Sequence, residues 1–461
     1  MLFNSHIFIL LFLPLLLAGW YFLNWKKKFQ LAQGYLIGMS LWFYAYANLQ
    51  YLWLLLFSCL IGWLLSCLPE KISSEKGKKV LTGVGCVFHL GLLGYFKYSN
   101  FFLENLNTVF HTDFPMLQIL LPVGISFYTF QQLAYLIDRC RGDAPRDSFF
   151  DYLTFMVYFP QLLQGPILLR SEFMGQLKEP ERRRFHAERF SEGIQFFVFG
   201  LAKKVLLADT LAKAVNYGYS NVSMLDSISA LLLAVGYLTE LYFDFSGYCD
   251  MAVGLGKMIG LEVTENFDAP FHSASVKEFW RRWHMTLGRF FTRYVYIPLG
   301  GNRRGKMRTL CNVMIVMLLS GLWHGAAWTF VLWGFLHGVG MIWDNLEHPH
   351  LPKKWMRQAA TFAYVCMTFV FFRAESIAQG VDVLKSIVSL KWNGFVFQMA
   401  SALDLTEFYM ITKALSMKLP GLLSWFWLGI FVVLIAICFR VLSGEKVSGV
   451  VALQRQKGYG R

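Results

Sequence analysis

Long apolar runs separated by short polar segments dominate this chain. A helix that spans a bilayer needs roughly 20 mostly apolar residues, so the pattern predicts about ten to twelve hydrophobic helices, some too short to span alone. The chain is therefore predicted to be an all-α, polytopic integral membrane protein, a helical bundle. The predicted elements are Ile7–Phe22, Gly34–Ala47, Tyr51–Leu68, Val80–Phe96, Leu117–Ile137, Gly193–Leu207, Ile228–Phe243, Asn312–Trp323, Ala327–Ile342, Ala359–Phe372 and Leu422–Phe439.

Composition agrees with a lipid environment. Hydrophobic residues make up 56% of the 461 residues, whereas soluble domains contain roughly 45–50%. The first run, Ile7–Phe22, has no charged segment before it and no small-residue cleavage site after it, so we expect it to be retained. The eight cysteines show no CxxC spacing, which favours core residues over a disulfide framework or a metal site.

The net charge of +14 would also suit a nucleic-acid-binding protein. The basic residues, however, collect in short loops between apolar runs, as the positive-inside rule describes, so no nucleic acid partner is expected. Nearly consistent alternation puts the N-terminus outside and the C-terminal Arg455–Arg461 in the cytoplasm. The basic loops expected inside are Lys26–Lys28, Lys71–Lys79, Arg139–Arg146, Arg170–Arg189, Lys277–Arg308 and Lys353–Arg357, and the segments expected outside are Ala47–Gln50, Ser99–Asp113 and Asn216–Asp226.

The segment Leu153–Leu169 breaks this alternation because it lies between two basic loops. It should therefore enter and leave the membrane on one side. Pro160 and the pair Gly165-Pro166 would interrupt a helix here, and irregular backbone at membrane depth is tolerated only inside protein or along a cavity. We interpret the segment as a re-entrant element.

Inserting a charged side chain at membrane depth costs at least ~2.5–3.5 kcal/mol, so each such residue is expected to have a structural or functional role. One group lies at the end of the apolar run Ile228–Phe243. Glu240 and Asp244 are four residues apart, as are Ser246 and Asp250, so each pair shares a helix face. The carboxylates could perform acid–base chemistry or bind backbone and neighbouring side chains; Ser246 lacks the GxSxG surroundings of a nucleophile.

The second polar group is a long basic loop, residues 266–304. A helix over Lys277–Thr286 would place Trp280 and His284 one turn apart and let Glu278 pair with Arg281 or Arg282. The mixture of aromatic and basic residues is typical of a membrane-interface belt. It would equally suit a cytoplasmic site for an anionic donor such as an acyl-coenzyme A, whose phosphates arginine side chains bind well.

The third group surrounds two histidines. His324 lies among small residues that allow neighbouring helices to approach. It is interpreted either as a hydrogen-bonded structural residue or as a neutral base, because burial disfavours imidazolium. His337 follows thirteen residues later, on a different face if one helix ran through both, so the two make a poor metal pair. No metal and no bound cofactor are expected.

At these residues the sequence resembles the membrane-bound O-acyltransferase family, in its bacterial alginate O-acetyltransferase-like branch. The resemblance runs from the N-terminus to about His337, with the family motifs within 118–338 and further helices over 359–442, and the whole of 1–461 is predicted to be a single domain. The matching stretches are Leu121–Phe130, Pro160–Pro166, Tyr242–Ala252, Glu265–Phe271, Glu278–His284, Tyr296–Arg303 and Gly321–Gly325.

The resemblance implies a bacterial inner-membrane enzyme that transfers an acyl group, most often acetyl, from a cytoplasmic thioester donor such as acetyl-CoA toward an exported polysaccharide. A secreted or membrane-anchored partner transferase is expected as well. The family's invariant histidine corresponds to His324, and a second polar position to His284; both are predicted to be catalytic. The residues expected to bind substrate are Arg281, Arg282, Trp283, Trp280, Arg303, Asn266, Asp244, Ser246, Gln164 and His337.

One stretch departs from the branch pattern. Where the branch usually has an aspartate, this chain has Arg293, in Thr292-Arg-Tyr294, which leaves the role of that loop open. Two other functions are also open: D-alanyl transfer to teichoic acid from a carrier-protein thioester, and a transporter or channel in which Glu240, Asp244 and His324 form an ion path. Transporters often contain two-fold repeats with broken helices, and the sequence offers only the interruption in Leu153–Leu169.

Overall fold

The computed structural model describes residues 1–346, 353–403 and 409–442, and every regular element within those ranges is helical. Single turns of π or 3-10 geometry join several helices. The α-helices are α1 (Leu13–Trp25), α2 (Phe29–Asn48), α3 (Leu52–Cys67), α4 (Glu75–Leu93), α5 (Ser99–Phe110), α6 (Ile125–Arg141), α7 (Phe149–Val157), α8 (Phe159–Leu162), α9 (Arg170–Lys178), α10 (Ala187–Ala202), α11 (Asp209–Ser220), α12 (Ser227–Ile259), α13 (Val276–Arg282), α14 (Met285–Phe291), α15 (Lys306–His324), α16 (Trp328–Trp343), α17 (Lys354–Arg373), α18 (Ile377–Val388), α19 (Phe395–Ser401), α20 (Tyr409–Lys418) and α21 (Pro420–Leu442).

Six helical segments of the described chain are long and apolar enough to cross a membrane, so the chain is a multi-pass membrane protein. The prediction of an all-α polytopic fold is confirmed. The C-terminal Arg455–Arg461 lies outside the described residues. The six segments are Phe8–Trp25, Leu49–Glu70, Glu75–Phe110, Ser227–Ile259, Lys306–His324 and Gly421–Cys438.

The predicted element Leu117–Ile137 is wrong in its first part, because the helix begins only at Ile125. Apolar character alone did not reveal the interruption. Gly124 adopts a left-handed conformation with φ of 77° directly before α6. The preceding irregular segment is held by the Asn100 side chain, whose Nδ2 donates to the Leu117 carbonyl (2.9 Å) and whose Oδ1 accepts from the Leu117 N–H (2.8 Å).

The chain forms two compact units. Unit 1 comprises Met1–Val198, Tyr248–Asn266 and Thr286–Pro298, and unit 2 comprises Phe199–Gly247, Phe267–Met285 and Leu299–Arg461. The prediction of a single functional domain stays a prediction.

In unit 1, the segment predicted to be re-entrant has broken helical structure. Helix α7 ends at Val157, one turn of α8 follows, and the backbone is irregular until Arg170 begins α9. Gly165 is needed there because a Cβ would collide with the Pro160 carbonyl oxygen. Most of the segment is buried in protein, which is the environment that irregular backbone requires in a membrane.

The unusual Arg293 has a structural role in unit 1. Its Nη2 lies 2.9 Å from both Asp138 Oδ1 and Asp143 Oδ2, and the hydroxyl of the neighbouring Tyr294 donates to Asp138 Oδ2 at 2.9 Å. Arg289, one turn earlier, forms a bidentate pair with Glu172. These arginines are committed to carboxylates of the protein.

In unit 2, helices α15 and α16 approach so closely that only glycine fits between them. A Cβ on Gly321 would lie 3.3 Å from the Gly334 Cα and would overlap the Phe330 carbonyl oxygen. A Cβ on Gly334 would overlap the Met317 carbonyl oxygen. The small-residue pattern around His324 therefore marks a helix contact, as the sequence indicated.

One expectation about a helix boundary is wrong and another is confirmed. Glu240 and Asp244 lie in the interior of α12 rather than at a helix end, because the helix continues to Ile259. The predicted separation of Asn312–Trp323 from Ala327–Ile342 is confirmed, since α15 ends at His324 and Gly325 is extended (φ −159°, ψ 150°), so His324 and His337 lie on separate helices. A side chain on Gly325 would overlap the Phe330 ring, so the break is built into the packing.

We predict that Gly321→Val destabilises the protein by roughly 1–3 kcal/mol through overpacking. The measurement is thermal unfolding in detergent micelles. Gly429→Val in α21 is the matched control, because a Cβ there meets nothing within 4 Å. Equal melting temperatures for the two variants would contradict the proposed contact between α15 and α16.

Candidate active site

The backbone between α13 and α14 places His284 at a sharp turn. Ser275 caps α13 by accepting from the Glu278 N–H at 3.1 Å, and the helix ends at Arg282. Trp283 is then extended, and His284 has a φ of 46°. A left-handed conformation is uncommon for a residue other than glycine and often marks a functional position.

This turn overturns the expectation that Trp280 and His284 lie one turn apart on one helix. The helix stops early because Trp283 turns into an aromatic cluster, with ring centroids 5.4 Å from Phe279 and 5.5 Å from Phe369. The expected pairing of Glu278 is confirmed, with Arg282 at 2.8 Å.

The imidazole of His284 is enclosed by aromatic rings and is only 1% exposed. The Phe245 centroid lies 4.8 Å away, that of Trp323 6.1 Å and that of His324 6.4 Å. Burial lowers the pKa of His284 to about 3. The ring is therefore neutral at physiological pH and can form hydrogen bonds without carrying a charge.

His324 lies at the end of α15, beside the break at Gly325. Its ring packs edge-on against Trp323, Trp333 and Phe372, with centroid separations of 4.9, 5.2 and 5.1 Å. Unlike His284, it is only half-buried. A half-buried imidazole with apolar walls can meet a substrate on its accessible face while the walls exclude water from the others.

His337 is fully buried, and both of its ring nitrogens contact protein groups. The indole N–H of Trp280, which can only donate, lies 3.3 Å from Nδ1. Nδ1 is therefore the acceptor and Nε2 carries the proton, which it donates to Thr368 Oγ1 at 2.9 Å. The Thr368 hydroxyl in turn donates to the Val365 carbonyl at 2.8 Å.

This chain of hydrogen bonds fixes His337 as a neutral tautomer. It also fixes the indole of Trp280, whose ring lies edge-on to Trp333 at 5.6 Å. The expectation that His337 binds substrate does not fit this geometry, because neither nitrogen is left for a ligand. The mistake arose because the partners Trp280 and Thr368 are distant in sequence.

The predicted donor-binding residues differ in availability. Arg282 is paired with Glu278 and also donates to the Asp268 carbonyl at 3.3 Å, so its guanidinium is largely committed. Arg281 is exposed. Arg303 is exposed in the turn that begins at Gly300, where its N–H donates to the Gly300 carbonyl at 3.1 Å.

The other predicted substrate contacts also differ in how far protein groups engage or bury them. In unit 2, Asp244 pairs with Lys204 at 2.5 Å, and Ser246 is almost fully buried. In unit 1, Asn266 Oδ1 accepts from both the N–H and the hydroxyl of Thr286 at 3.0 Å. Gln164 is exposed within the irregular segment between α8 and α9.

Sequence reasoning missed part of the wall around the histidines. Phe372 contacts His324, and Thr368 holds His337, yet both lie on α17, beyond the stretch that carries the motifs. Their spacing of four residues, which places them on one helix face, was the available signal. An apolar helix offers many such pairs, so the pattern did not single this one out.

Comparison with known proteins gives this geometry a chemical class. Residues 141–378 match the family model described as MBOAT, membrane-bound O-acyltransferase family. The matched region contains both histidines of the site and the whole of α17.

Several curated proteins are similar over most of their length. The peptidoglycan O-acetyltransferase of Helicobacter pylori is 36% identical over 423 residues, which is 85% of this chain and 80% of the relative. The probable alginate O-acetylase AlgI of Azotobacter vinelandii is 39% identical over 389 residues, 82% of this chain and 76% of the relative. The teichoic acid D-alanyltransferase of Bacillus subtilis is 28% identical over 271 residues, 55% of this chain and 69% of the relative. With the motifs, the helical membrane fold and these relatives in agreement, the chain belongs to the membrane-bound O-acyltransferase family and is an O-acyltransferase.

Proposed function

We propose that this enzyme moves an acetyl group from a cytoplasmic thioester, acetyl-CoA, to a hydroxyl of an exported polysaccharide or of a partner transferase. The observation that carries the proposal is the pair His324 and His284, with ring centroids 6.4 Å apart inside an aromatic enclosure. Family membership replaces the transporter interpretation, and the acyl class is what remains to be tested.

In the proposed reaction, His324 accepts the proton of the attacking hydroxyl as its oxygen bonds to the thioester carbonyl carbon. Reacting atoms must lie roughly 3–3.5 Å apart for this attack. The C–S bond then breaks, and the proton on His324 passes to the leaving thiolate. A neutral base is needed at the start of this reaction.

His284 has a different task in this proposal. Its low pKa keeps it neutral, so it can orient the acceptor or polarise the thioester through one ring nitrogen. Its left-handed backbone fixes the ring between Phe245 and Trp323. A fixed polar group in a water-poor site stabilises developing charge without reorganising.

The donor is proposed to enter from the cytoplasm. Arg281 and Arg303 are exposed and lie in the basic loop that the positive-inside rule puts on that side. Guanidinium groups suit the phosphates of coenzyme A. The same rule gives the proposed orientation in the inner membrane, with the N-terminus outside and the C-terminus in the cytoplasm.

D-alanyl transfer to teichoic acid is the second candidate. Acetyl is favoured because the relatives named for O-acetylation match at 36–39% identity over 82–85% of this chain, whereas those named for D-alanyl transfer match at 28% over 52–55%. Growth with labelled acetate or labelled D-alanine separates them. Label in the cell-surface polymer from D-alanine alone would overturn the acetyl assignment.

His324→Ala is expected to lower acyl transfer by at least about 100-fold, the scale of a lost general base. Activity would be measured as labelled acetyl incorporated into the exported polymer, with the amount of folded protein checked in the membrane fraction. The exposed His186 provides the matched control, and His186→Ala should retain activity. Full activity of folded His324→Ala would remove this residue from the mechanism.

Acidification should destabilise the protein through His284. Its pKa is about 3 when folded and about 6.5 in an unfolded chain, so between these values the unfolded state binds the extra proton. The contribution of neutral His284 to the free energy of unfolding is therefore complete above pH about 6.5. It is lost as pH falls toward 3, because the unfolded state is then favoured by binding the proton. Melting temperatures of the wild type and His284→Gln between pH 4 and 7 test this, and parallel curves would contradict it.

Thr368→Val is expected to cost about 1–3 kcal/mol, because it leaves the buried Nε2–H of His337 without its acceptor. If His337 positions Trp280 in the site wall, kcat should fall while the KM for the donor stays nearly constant. Thr368→Ser keeps the hydroxyl and should restore both stability and kcat. A purely structural role predicts lower stability with kcat unchanged in the folded fraction.

A further inference from the structure

An open cleft lies in unit 2, and neither His284 nor His324 lines it. Its volume is about 910 Å³, within the range of roughly 300–1,000 Å³ typical of ligand sites. Its wall comes from the segment before α12, from α18 and from the segment after α18. The lining includes three charged groups, Asp382, Lys385 and Lys391, together with the indole of Trp392.

Trp392 presents an open aromatic surface in this cleft. Its side chain is 56% exposed, and its one described ring contact is an edge-on approach to Phe397 at 6.1 Å. An interfacial tryptophan facing lipid would be the ordinary explanation of such exposure. Here the ring borders charged side chains and several serines, which is an environment for a polar ligand with apolar faces.

Hydrogen bonds fix the backbone on both sides of Trp392. The fully buried carboxylate of Asp226 accepts from the N–H groups of Asn393 (3.2 Å) and Gly394 (3.1 Å) through Oδ2, and from Ser229 through Oδ1. The Ser227 N–H donates to the Lys391 carbonyl at 3.1 Å. The backbone around Trp392 is thus held in place before any ligand binds, which reduces the entropy cost of binding.

The cleft is close to His324 along the chain. Phe372 contacts the His324 ring at 5.1 Å, and Ser376, which lines the cleft, follows four residues later. Four residues span at most about 14 Å, a distance that a few linked sugar rings cover. The segment Asn216–Asp226, which supplies part of the wall, is also the one that its lack of basic residues assigns to the outer face.

We propose that this cleft binds a linear chain of pyranose rings, the acceptor glycan, next to the transfer site. Sugar rings have apolar C–H faces that stack on an indole, and hydroxyl edges that accept and donate hydrogen bonds. Trp392 supplies the stacking surface, and Lys391 binds hydroxyls or ring carboxylates. Asp382 and Lys385 lie 3.6 Å apart as an ion pair and bind hydroxyls. The inference rests on the proposed function, because it takes the acceptor to be a glycan.

Isothermal titration of the full chain in detergent micelles tests the cleft, with tetramannuronate and chitotetraose as probes. The first carries a carboxylate on each ring and the second is neutral, so the one that binds identifies the glycan chemistry. Trp392→Ala should weaken binding about tenfold, and Trp392→Phe should recover part of it, because the lost stacking is worth about 1.4 kcal/mol.

Trp355→Ala is the matched control. Trp355 is 63% exposed at the opposite end of α17 from the cleft, and its removal should leave binding unchanged. If neither oligosaccharide binds the wild type, or if Trp392→Ala binds as well as the wild type, the glycan cleft is overturned.

His324→Ala separates this inference from the proposed mechanism. It should bind oligosaccharide as the wild type does. An active His324→Ala variant would remove the proposed base and leave the cleft standing, whereas loss of binding confined to Trp392→Ala supports the cleft whatever the identity of the base.

Discussion

The close approach of α15 and α16 is the constraint on which the site depends. Without a hydrophobic driving force in lipid, helices associate through packing at small residues, and Gly321 and Gly334 allow that packing here. The extended break at Gly325 can exist only because the next helix returns immediately along the same face. His324 therefore lies at the end of α15 with its ring packed against Trp333 of α16.

Aromatic rings form the immediate surroundings of both histidines. Trp323, Trp333 and Phe372 surround His324, and Phe245 covers His284. Burial keeps the His284 imidazole neutral, and apolar walls around both rings exclude competing water. Enclosure differs between the two rings, since His284 is sealed and His324 is half-buried. That difference supports assigning the encounter with substrate to the half-buried His324 and a fixed electrostatic role to the buried His284.

The sequence was informative where a signal was local. Apolar runs predicted the helical membrane fold, and the small residues around His324 indicated a helix contact. Prediction failed where a distant partner decided the outcome. Asn100 holds Leu117 out of a helix, the aromatic cluster around Trp283 ends α13, and Thr368 together with Trp280 occupies His337. No periodicity within α13 or α16 could have revealed those partners, because each lies on another element.

The locked hydrogen bonds of His337 have a consequence for proton traffic. The Nδ1 of this ring accepts from the indole of Trp280 and cannot take up a proton without losing that contact, while its Nε2 proton is held by the Thr368 oxygen. His337 is therefore poorly placed to relay protons to or from the other two histidines. In the mechanism proposed above, the proton that His324 takes from the alcohol therefore does not pass through His337. Its return to the leaving thiolate restores the protonation state in which the protein started.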